Sequence, residues 1–422
     1  IPTEKGPQGT GAEVARLEQV RDKVLDKSLI AEKSITKFFE AKELYLQRAE
    51  ANLGQTVDNQ TIDAGAGYGT YGIAEGMTEL FNSFQSLSVS PTSTAERQTV
   101  IFNAQKIADK IKTVDRRLGD LRTAINDEVQ NVIKDVNSKV KEIAFIAVNI
   151  GNIEVVEGSA NEVRDALQEA METLSEYANI STSTNDDGQL NVFLDGVQVI
   201  TENVMTKSVT MHTDSNGMSF LADGDTGNII NLKSGFLKGM INARDVGVKD
   251  LRDKANTLAT QLITEVNTLH KTGYDLYGLN DNTAGLFTGT GAADMSVNAA
   301  IISDPRKLQG SSSATEVSNN DVIRSIAALS SKTITNLGGM TFNEYYGNTV
   351  SRFGQDLALS KSQLNDQKTV QKMLERQRES IMGVSVDEEV ANLVIYQRAF
   401  QASARLLSTM DGLPQDVLNM TR

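Results

Sequence analysis

Apolar residues recur at steps of three and four along most of the chain, which is the pattern of amphipathic helices. The pattern covers residues 13–52 and resumes in the stretch IAEGMTELFNSF. It then predicts a helix over 94–150 that, unbroken, would be on the order of 85 Å long. The apolar seam of this helix is heptad-like and comprises Val100, Ala104, Ile107, Ile111, Val114, Leu118, Leu121, Ile125, Val129, Val132, Val136, Val140, Ile143 and Ala147. Such spacing is typical of coiled-coil-like helices.

The pattern changes after Ile180, where short alternating runs such as QLNVFL and VQVIT replace the helical period. Hairpin-type turns at 185–188, 195–196 and 214–217 separate these runs. We therefore expect a small antiparallel domain over residues 179–234. Helical spacing then returns, with a second seam formed by Leu251, Ala255, Leu258, Leu262, Val266 and Leu269.

The last third of the chain combines loops with helices. Residues 271–318 are rich in Gly, Asn and Ser, which predicts loops. Asn320 or Asp321 is expected to cap a short helix. Two closing helices are then predicted over 342–381 and 386–411, with a break at Gly383.

These elements predict a mainly α, multi-domain protein with a small all-β insert, whose long coiled-coil-like helices form a rod. The predicted domains are the first part of the helical rod domain (1–178), the antiparallel β insert (179–234), the second part of the rod domain with its loop-rich stretch 271–318 (235–380), and a C-terminal inner-core helix (381–422).

The C-terminal helix carries the clearest start signal. Ser385 and Glu388 have the spacing of a capping box, and the acidic run DEE suits the positive end of the helix dipole. Gly412 and Pro414 are expected to end the helix. Between these signals an apolar stripe is formed by Val386, Val390, Leu393, Tyr396, Phe400, Leu407 and Met410.

An apolar stripe needs a partner, either within the chain or outside it. An ordinary helix that faces the core of its own domain is one interpretation. The other is an intermolecular seam, favoured by the small and polar residues in the middle of the helix, which permit close helix approach. We identify the candidate interface as Val386, Val390, Leu393, Tyr396, Phe400 and Leu407, flanked by Asn392 and Gln397.

Composition excludes several classes of function. The formal net charge is −14, and no basic run is present that would neutralise nucleic-acid phosphates. The chain has no cysteine, which excludes disulfides, thiolate nucleophiles and Cys-ligated zinc. No apolar run is long enough to span a membrane. No signal peptide is visible, although the sequence begins at Ile1.

Candidate chemical motifs are few, and each has a simpler interpretation. Residues 67–72 match the dinucleotide-binding glycine pattern, but no buried strand precedes them. Residues 223–227 resemble the start of a calcium loop, but the twelfth position is Ser234, so a hairpin turn is expected. His212 falls in the β stretch, and His270 ends a helix, where a cation suits the dipole. We therefore predict no catalytic, cofactor-binding or metal-binding residues and no enzyme activity.

The C-terminal stretch is similar to a signature shared by flagellar rod, hook and hook-associated proteins, in which DEE, NL, a Tyr or Phe before Gln, and a small-residue run before Arg or Lys follow in order. The matching residues are Asp387, Glu388, Glu389, Asn392, Leu393, Tyr396, Gln397, Phe400, Ala402, Ser403, Ala404 and Arg405. The runs FNSFQSLSVSPTSTAERQTVIFNAQKIADKI, LSEYANISTSTNDDGQLNVFLDG and LITEVNTLHKTGYDLYG further resemble the hook-associated family of the FlgK type.

This resemblance implies a structural, non-enzymatic adapter that joins the flagellar hook to the filament. It implies an extracellular place in the bacterial flagellum, reached by export without a cleaved signal peptide. The implied partners are copies of the chain in a helical ring, the hook protein, the second junction protein and an export chaperone, with no cofactor, nucleic acid or membrane. The resemblance also implies that the N- and C-terminal helices pair and that the β insert faces outward.

One departure and two alternatives accompany the resemblance. The N-terminal segment that would pair with 386–411 is missing, so the chain is expected to be truncated and monomeric in isolation. The second hook–filament junction protein or a flagellin-like filament subunit is an alternative of the same class, because the terminal helix does not distinguish them. A secreted enzyme or adhesin on a coiled-coil stalk is the alternative from another class.

Overall fold

The computed structural model describes residues 2–3, 6–7, 21–53, 72–157, 160–382 and 386–420. Its α-helices are α1 (Lys23–Asn52), α2 (Ile73–Val89), α3 (Thr94–Glu157), α4 (Asn161–Tyr177), α5 (Phe236–Asn242), α6 (Lys249–His270), α7 (Ala299–Ser303), α8 (Asp321–Ala328), α9 (Phe342–Met382) and α10 (Val386–Met420). A π-helix spans Ala243–Val248, and 3₁₀ turns span Pro305–Lys307 and Thr335–Leu337.

The strands are short and all pairings between them are antiparallel. They are β1 (Pro2–Thr3), β2 (Gly6–Pro7), β3 (Ile180–Thr184), β4 (Leu190–Leu194), β5 (Val197–Thr201), β6 (Val204–Met205), β7 (Val209–Thr213), β8 (Ser219–Asp223), β9 (Phe287–Thr288) and β10 (Ser296–Val297). The prediction of a mainly α fold with a small antiparallel part is thus confirmed.

Helix α3 organises the larger of two compact units, which comprises residues 30–371. It runs from Thr94 to Glu157 without a break, and α2, α4 and α6 all pack against it. Every residue of the predicted seam is buried except Leu121, which is half-buried. The predicted seam is therefore confirmed. A helix that is contacted on several sides buries its apolar residues.

The β stretch forms a four-stranded sheet in the order β3-β4-β5-β6 and a separate hairpin of β7 and β8. Glycines occupy the predicted turns in the left-handed region, with φ of 80° at Gly188, 92° at Gly196 and 76° at Gly217. Residues without a Cβ adopt this conformation at little cost, so the turn residues fix the strand boundaries. The expected division of the chain into domains stays a prediction.

The β7–β8 hairpin lies on α3 and is held there by two asparagines. Asn137 pairs with the backbone of Val209, accepting from its amide at 2.9 Å and donating to its carbonyl at 2.6 Å. The side-chain oxygen of Asn126 accepts from the amide of Ser219 at 2.7 Å. The two asparagines are eleven positions apart, which is close to three full turns, and so share one face of α3.

Two predicted helix ends differ in part from the structure. Asn320 occupies the expected N-cap position of α8, but its side chain does not bond to the first turn; its amide donates instead to the carbonyl of Ser88 at 2.6 Å. Helix α10 continues through Gly412 and Pro414 to Met420, so the predicted stop is wrong. A proline removes a single backbone hydrogen bond, and the helix-forming residues around it continue the helix.

The second compact unit comprises residues 1–29 and 372–422. It contains α10, the last turns of α9 and the first turns of α1. The break predicted at Gly383 falls in 383–385, outside the described residues, as do most of the N-terminal segment before Arg21 and the loop at 54–71.

Gly239 of α5 lies close against α1, and it provides a test of the packing. A Cβ at this position would lie 2.7 Å from the Cβ of Ala41 and would also meet the carbonyl of Phe38. We expect Gly239→Ala to destabilise the protein by about 1–3 kcal/mol, although alanine is the better helix former. Thermal unfolding followed by circular dichroism measures this change.

Gly347 in α9 is the matched control, because no atom lies within 4 Å of a Cβ placed there. Gly347→Ala is expected to stabilise the helix by up to about 1 kcal/mol. Equal effects of the two substitutions would contradict the close contact between α5 and α1.

Candidate assembly surface

Helix α10 presents the predicted interface residues to solvent. Leu393 is 55% exposed, and Tyr396 and Phe400 are each 74% exposed. Val390 and Leu407 are also exposed, as are the flanking Asn392 and Gln397. Val386 lies in the first turn of α10, but its side chain is outside the described part of the chain, as is the capping box of Ser385 and Glu388.

All described side chains from Glu389 to Met410 are exposed, so α10 does not face a core within the described part of this chain. Large apolar side chains exposed in a contiguous row are uncommon on monomeric soluble proteins and mark interaction sites. The stripe on α10 is therefore a surface that lacks its partner here.

The sequence pattern missed part of this surface. Ile395 and Leu406 are 62% and 63% exposed. Because each residue of a helix is turned by 100° from the one before, these two lie on a different side of α10 from Val390 and Val394. A search for a single stripe overlooks them, because they do not follow its steps of three and four. With apolar residues on more than one side, α10 is suited to contact more than one neighbouring helix.

The two histidines do not form a common site. His212 is exposed on β7, whereas His270 is fully buried at the end of α6. Within the described ranges, no three His, Asp or Glu side chains gather as metal ligands would. None of the described helices has the length and apolar composition needed to cross a bilayer.

The two glycine motifs have different outcomes. The stretch at 67–72 lies outside the described residues. The stretch at 223–227 forms the expected turn, in which a side-chain oxygen of Asp223 accepts from the amides of Asp225 at 2.8 Å and Thr226 at 3.1 Å. These backbone bonds lower the pKa of Asp223.

His270 belongs to a buried polar cluster that fixes the loop-rich segment against the helices. Its Nε2 accepts from the amide of Gln309 at 3.1 Å. Nearby, Arg97 at the start of α3 is 1% exposed and donates to the carbonyls of Pro91 and Leu308. Burial lowers the pKa of Arg97 to about 10 and that of His270 to about 4. The prediction of a charged His270 at the helix end is therefore wrong, because burial keeps the imidazole neutral.

This neutral imidazole predicts a loss of stability in acid. Because the pKa of His270 is lowered from 6.5 to about 4, the unfolded chain binds more protons than the folded one between these values. The contribution of His270 is fully present above about pH 6.5 and is lost as the pH falls towards 4, by up to about 3 kcal/mol. Urea unfolding at several pH values measures it.

A His270→Gln variant should flatten this pH dependence, because an amide oxygen still accepts from Gln309 and does not titrate. His212→Gln is the control for the exchange of a histidine for a glutamine, because His212 is exposed on β7 and lies outside this buried cluster. The same pH profile for the wild type and His270→Gln would contradict the assignment.

A surface cavity of about 580 Å³ lies between Leu53, Ile73 and the outer face of α3. Lys106 and Lys110 line it, but both are held in ion pairs, with Glu79 at 2.6 Å and Glu75 at 3.5 Å. Asp109 is the single carboxylate among its lining residues. The lining does not pair a nucleophile with a base, nor one carboxylate with another, as hydrolysis would require.

Models of two known families match this chain. Residues 60–287, more than half of the chain, match the model of the flagellar hook-associated protein FlgK helical domain. Residues 370–420 match the model of the flagellar basal body rod FlgEFG protein C-terminal region. The second match covers nearly all of the described part of α10.

Curated relatives extend the likeness over most of the chain. Flagellar hook-associated protein 1 of Bacillus subtilis is 22% identical over 98% of this chain and 87% of its own length. Flagellar hook-associated protein 1 of Escherichia coli is 24% identical over 83% of this chain and 81% of its own length.

A solved structure shares the fold. The flagellar hook junction protein FlgK of Burkholderia pseudomallei matches with a TM-score of 0.53 at 19% identity. The match covers 62% of this chain and 46% of that chain, so this chain spans less than half of the solved protein. The helical-domain match, the relatives and the shared fold agree, and the chain belongs to the FlgK family of flagellar hook-associated proteins, which are structural proteins of the flagellum at the hook–filament junction.

Proposed function

We propose that this protein joins the hook to the filament by helix–helix contacts, with α10 as the main assembly surface and without catalytic activity. The observation that carries the proposal is the unbroken exposure of the apolar side chains on α10, from Val390 to Met410. Burying such a side chain stabilises an interface by about 1.5–3 kcal/mol, so a row of them is costly to leave in water.

The proposed partners of α10 are the N-terminal helical segment of the same protein and the helices of neighbouring copies in a helical ring. Apolar residues on two sides of α10 fit contacts with more than one helix at once. Asn392 and Gln397 would then hydrogen-bond at the margins of the seam and fix its register, as single polar residues do in coiled coils.

Further proposed partners are the hook protein below, the second junction protein above and an export chaperone before assembly. We place the assembled protein outside the cell, in the flagellum, after export without a cleaved signal peptide. A net charge of −14 and the absence of cysteine fit a chain that must stay soluble and cannot form wrong disulfides on the way.

Electron microscopy of cells that lack the gene tests the proposal. Complete hooks without filaments are expected, and normal motility should return when the gene is restored. Filaments of normal length on the deletion strain would overturn the proposed function.

A further inference from the structure

Among the described strands of five residues, β3 and β7 each have a free edge. Strand β3 is the outer strand of the four-stranded sheet, and β7 pairs with β8 alone among the described strands. Each is five residues long. A free edge exposes unpaired backbone amides and carbonyls, and another strand can pair with them.

Hydrogen bonds around β7 show which of its backbone groups point outward. The amide of Gly224 donates to the carbonyl of Ser208 at 3.0 Å, and the amide of Asp214 donates to the carbonyl of Met218 at 2.9 Å. In an antiparallel pair the residues alternate between facing the partner and facing away. Even-numbered residues of this segment thus bond towards β8, and odd-numbered residues face away from it.

Some of the backbone amides and carbonyls of β7 that face away from β8 already have a hydrogen-bond partner, and others are free. The amide and carbonyl of Val209 are both taken by Asn137 of α3. Met211 and Thr213 follow on the same edge, and the side chains of both are exposed. The far half of β7 therefore offers two amides and two carbonyls to solvent.

The same reasoning applies to β3. The amide of Asp195 donates to the carbonyl of Asn179 at 3.0 Å, and the amide of Asn185 donates to the carbonyl of Gln189 at 3.0 Å. Odd-numbered residues of this segment therefore bond towards β4. Ile180, Thr182 and Thr184 direct their backbone groups away from the sheet.

Neither edge carries the features that usually prevent pairing. Proteins protect free edges with lysine or other charges, proline, bulges or very short strands. The sequences of these strands are ISTST and VTMHT, which contain no Lys, Arg, Asp, Glu or Pro. The β3 edge has three outward residues and the β7 edge has two that are free, and two unprotected edges on one chain are suited to pair with each other across copies.

We propose that the β3 edge of one copy pairs with the β7 edge of the next copy in the assembled ring. The two edges are different surfaces of the chain, so the contact is heterologous and passes from copy to copy, as a ring or helix requires. A few strand hydrogen bonds are weak alone but form readily when copies are already held close together. That copies of the chain lie side by side in a ring rests on the proposed function, whereas the free edges of β3 and β7 do not depend on it.

Cysteine cross-linking in assembled flagella tests this pairing, because the wild-type chain has no cysteine. Thr182→Cys and Met211→Cys are made singly and together and expressed in the deletion strain. Paired strands bring their Cα atoms to about 4.5–5.5 Å, within the range that a disulfide spans. A short bis-maleimide is used as a second cross-linker besides oxidation, because it can join cysteines that are not directly opposite each other on the paired strands.

The double variant is expected to give a ladder of cross-linked multimers, and the two single variants expressed together are expected to give dimers. Each single variant alone should stay monomeric on the gel. Dimers from Met211→Cys alone would show β7 pairing with β7 and overturn the proposal. Normal filaments without any cross-link from the double variant or the mixture would also overturn it, while leaving the proposed hook–filament function intact.

Thr182→Pro gives a second, independent test. Proline removes an amide that faces away from β4, so the hydrogen bonds inside the sheet are kept. We expect the melting temperature to change little and the filaments to detach under shear at least several-fold more often than in the wild type. Thr182→Val is the control with its amide intact. Equal shear resistance of the two variants, with both folded, would contradict the edge pairing.

Discussion

A Leu393→Asp variant is expected to be exported normally and to leave hooks without filaments. Leu393 is 55% exposed on α10, so the substitution should alter the stability of the isolated chain by less than about 0.5 kcal/mol. In the proposed seam the same position is buried against a partner helix. An unpaired carboxylate at this position would remove the apolar contact and would have to be desolvated. Together these effects should weaken the free energy of association by several kcal/mol in each copy.

In the proposed ring every copy carries the change, so the cost would repeat around the assembly and filament growth should stop. Motility in soft agar, electron microscopy of hooks and an immunoblot of the culture medium together measure the outcome. Normal filaments on Leu393→Asp cells would show that the exposed stripe is not the assembly surface.

Ala391→Asp is the matched control for this experiment. It adds the same charge two positions away, on a side of α10 that also carries Arg398, seven residues on. Ala391 is exposed as well, and a carboxylate near the start of a helix suits the helix dipole. Ala391 also lies four positions before Ile395, next to the second apolar side. Filaments on Ala391→Asp cells would show that added charge alone does not stop assembly, whereas their loss would place the side through Ile395 in the seam as well.

The long helices were predictable because their apolar spacing is regular. The seam of α3 from Val100 to Ala147 follows directly from steps of three and four, and nearly all of it is buried. The turns at Gly188 and Gly217 were predictable for a similar reason, since few residues other than glycine tolerate their positive φ.

The polar contacts that join distant parts of the chain could not be predicted in this way. Asparagine in a helix is usually a surface residue, and the sequence around Asn126 and Asn137 does not show their partners. Only the structure shows that Asn126 bonds to Ser219 and Asn137 to Val209. Buried cations were missed in the same way. Arg97 reads as one more charge near a helix start, yet it is almost completely buried.

The proposed assembly surface was only half predictable. Periodicity indicated the stripe through Leu393 and Phe400, but whether a stripe faces its own core or a partner depends on what packs there. That requires a structure. The second apolar side, through Ile395 and Leu406, was missed because it breaks the period.

Arg244 should have the largest effect on stability of any single side chain in the larger unit. It lies in the π-helix between α5 and α6 and is completely buried. Its guanidinium donates to both oxygens of Asp245, at 2.9 and 2.7 Å, to Asn126 at 2.8 Å and to the carbonyl of Ser219 at 2.9 Å. It also lies 4.8 Å from the ring centre of Phe220. One side chain thus joins α3, β8 and the π-helix.

Arg244→Met keeps most of the volume but leaves the acceptors on Asn126, Ser219 and Asp245 without this donor. Asp245 is 25% exposed and keeps Arg122 at 3.5 Å, so the cost comes mainly from buried polar groups left without this donor, about 1–3 kcal/mol each. We expect the melting temperature to fall by roughly 5–10 °C. Hydrogen exchange should also speed up at the amide of Ser219, because the hairpin loses part of its attachment to α3.

Arg116→Met removes an arginine of the same helix-rich region without touching a buried network. Arg116 pairs with Asp120 at 3.7 Å, and the two side chains are 66% and 71% exposed. Exposed pairs contribute at most about 1 kcal/mol, because water and salt screen them. If Arg244→Met had the same melting temperature as Arg116→Met, the hydrogen bonds of Arg244 would not be what attaches the hairpin to α3. A large difference between the two variants, with faster exchange confined to β7 and β8, is the result that the buried contacts require.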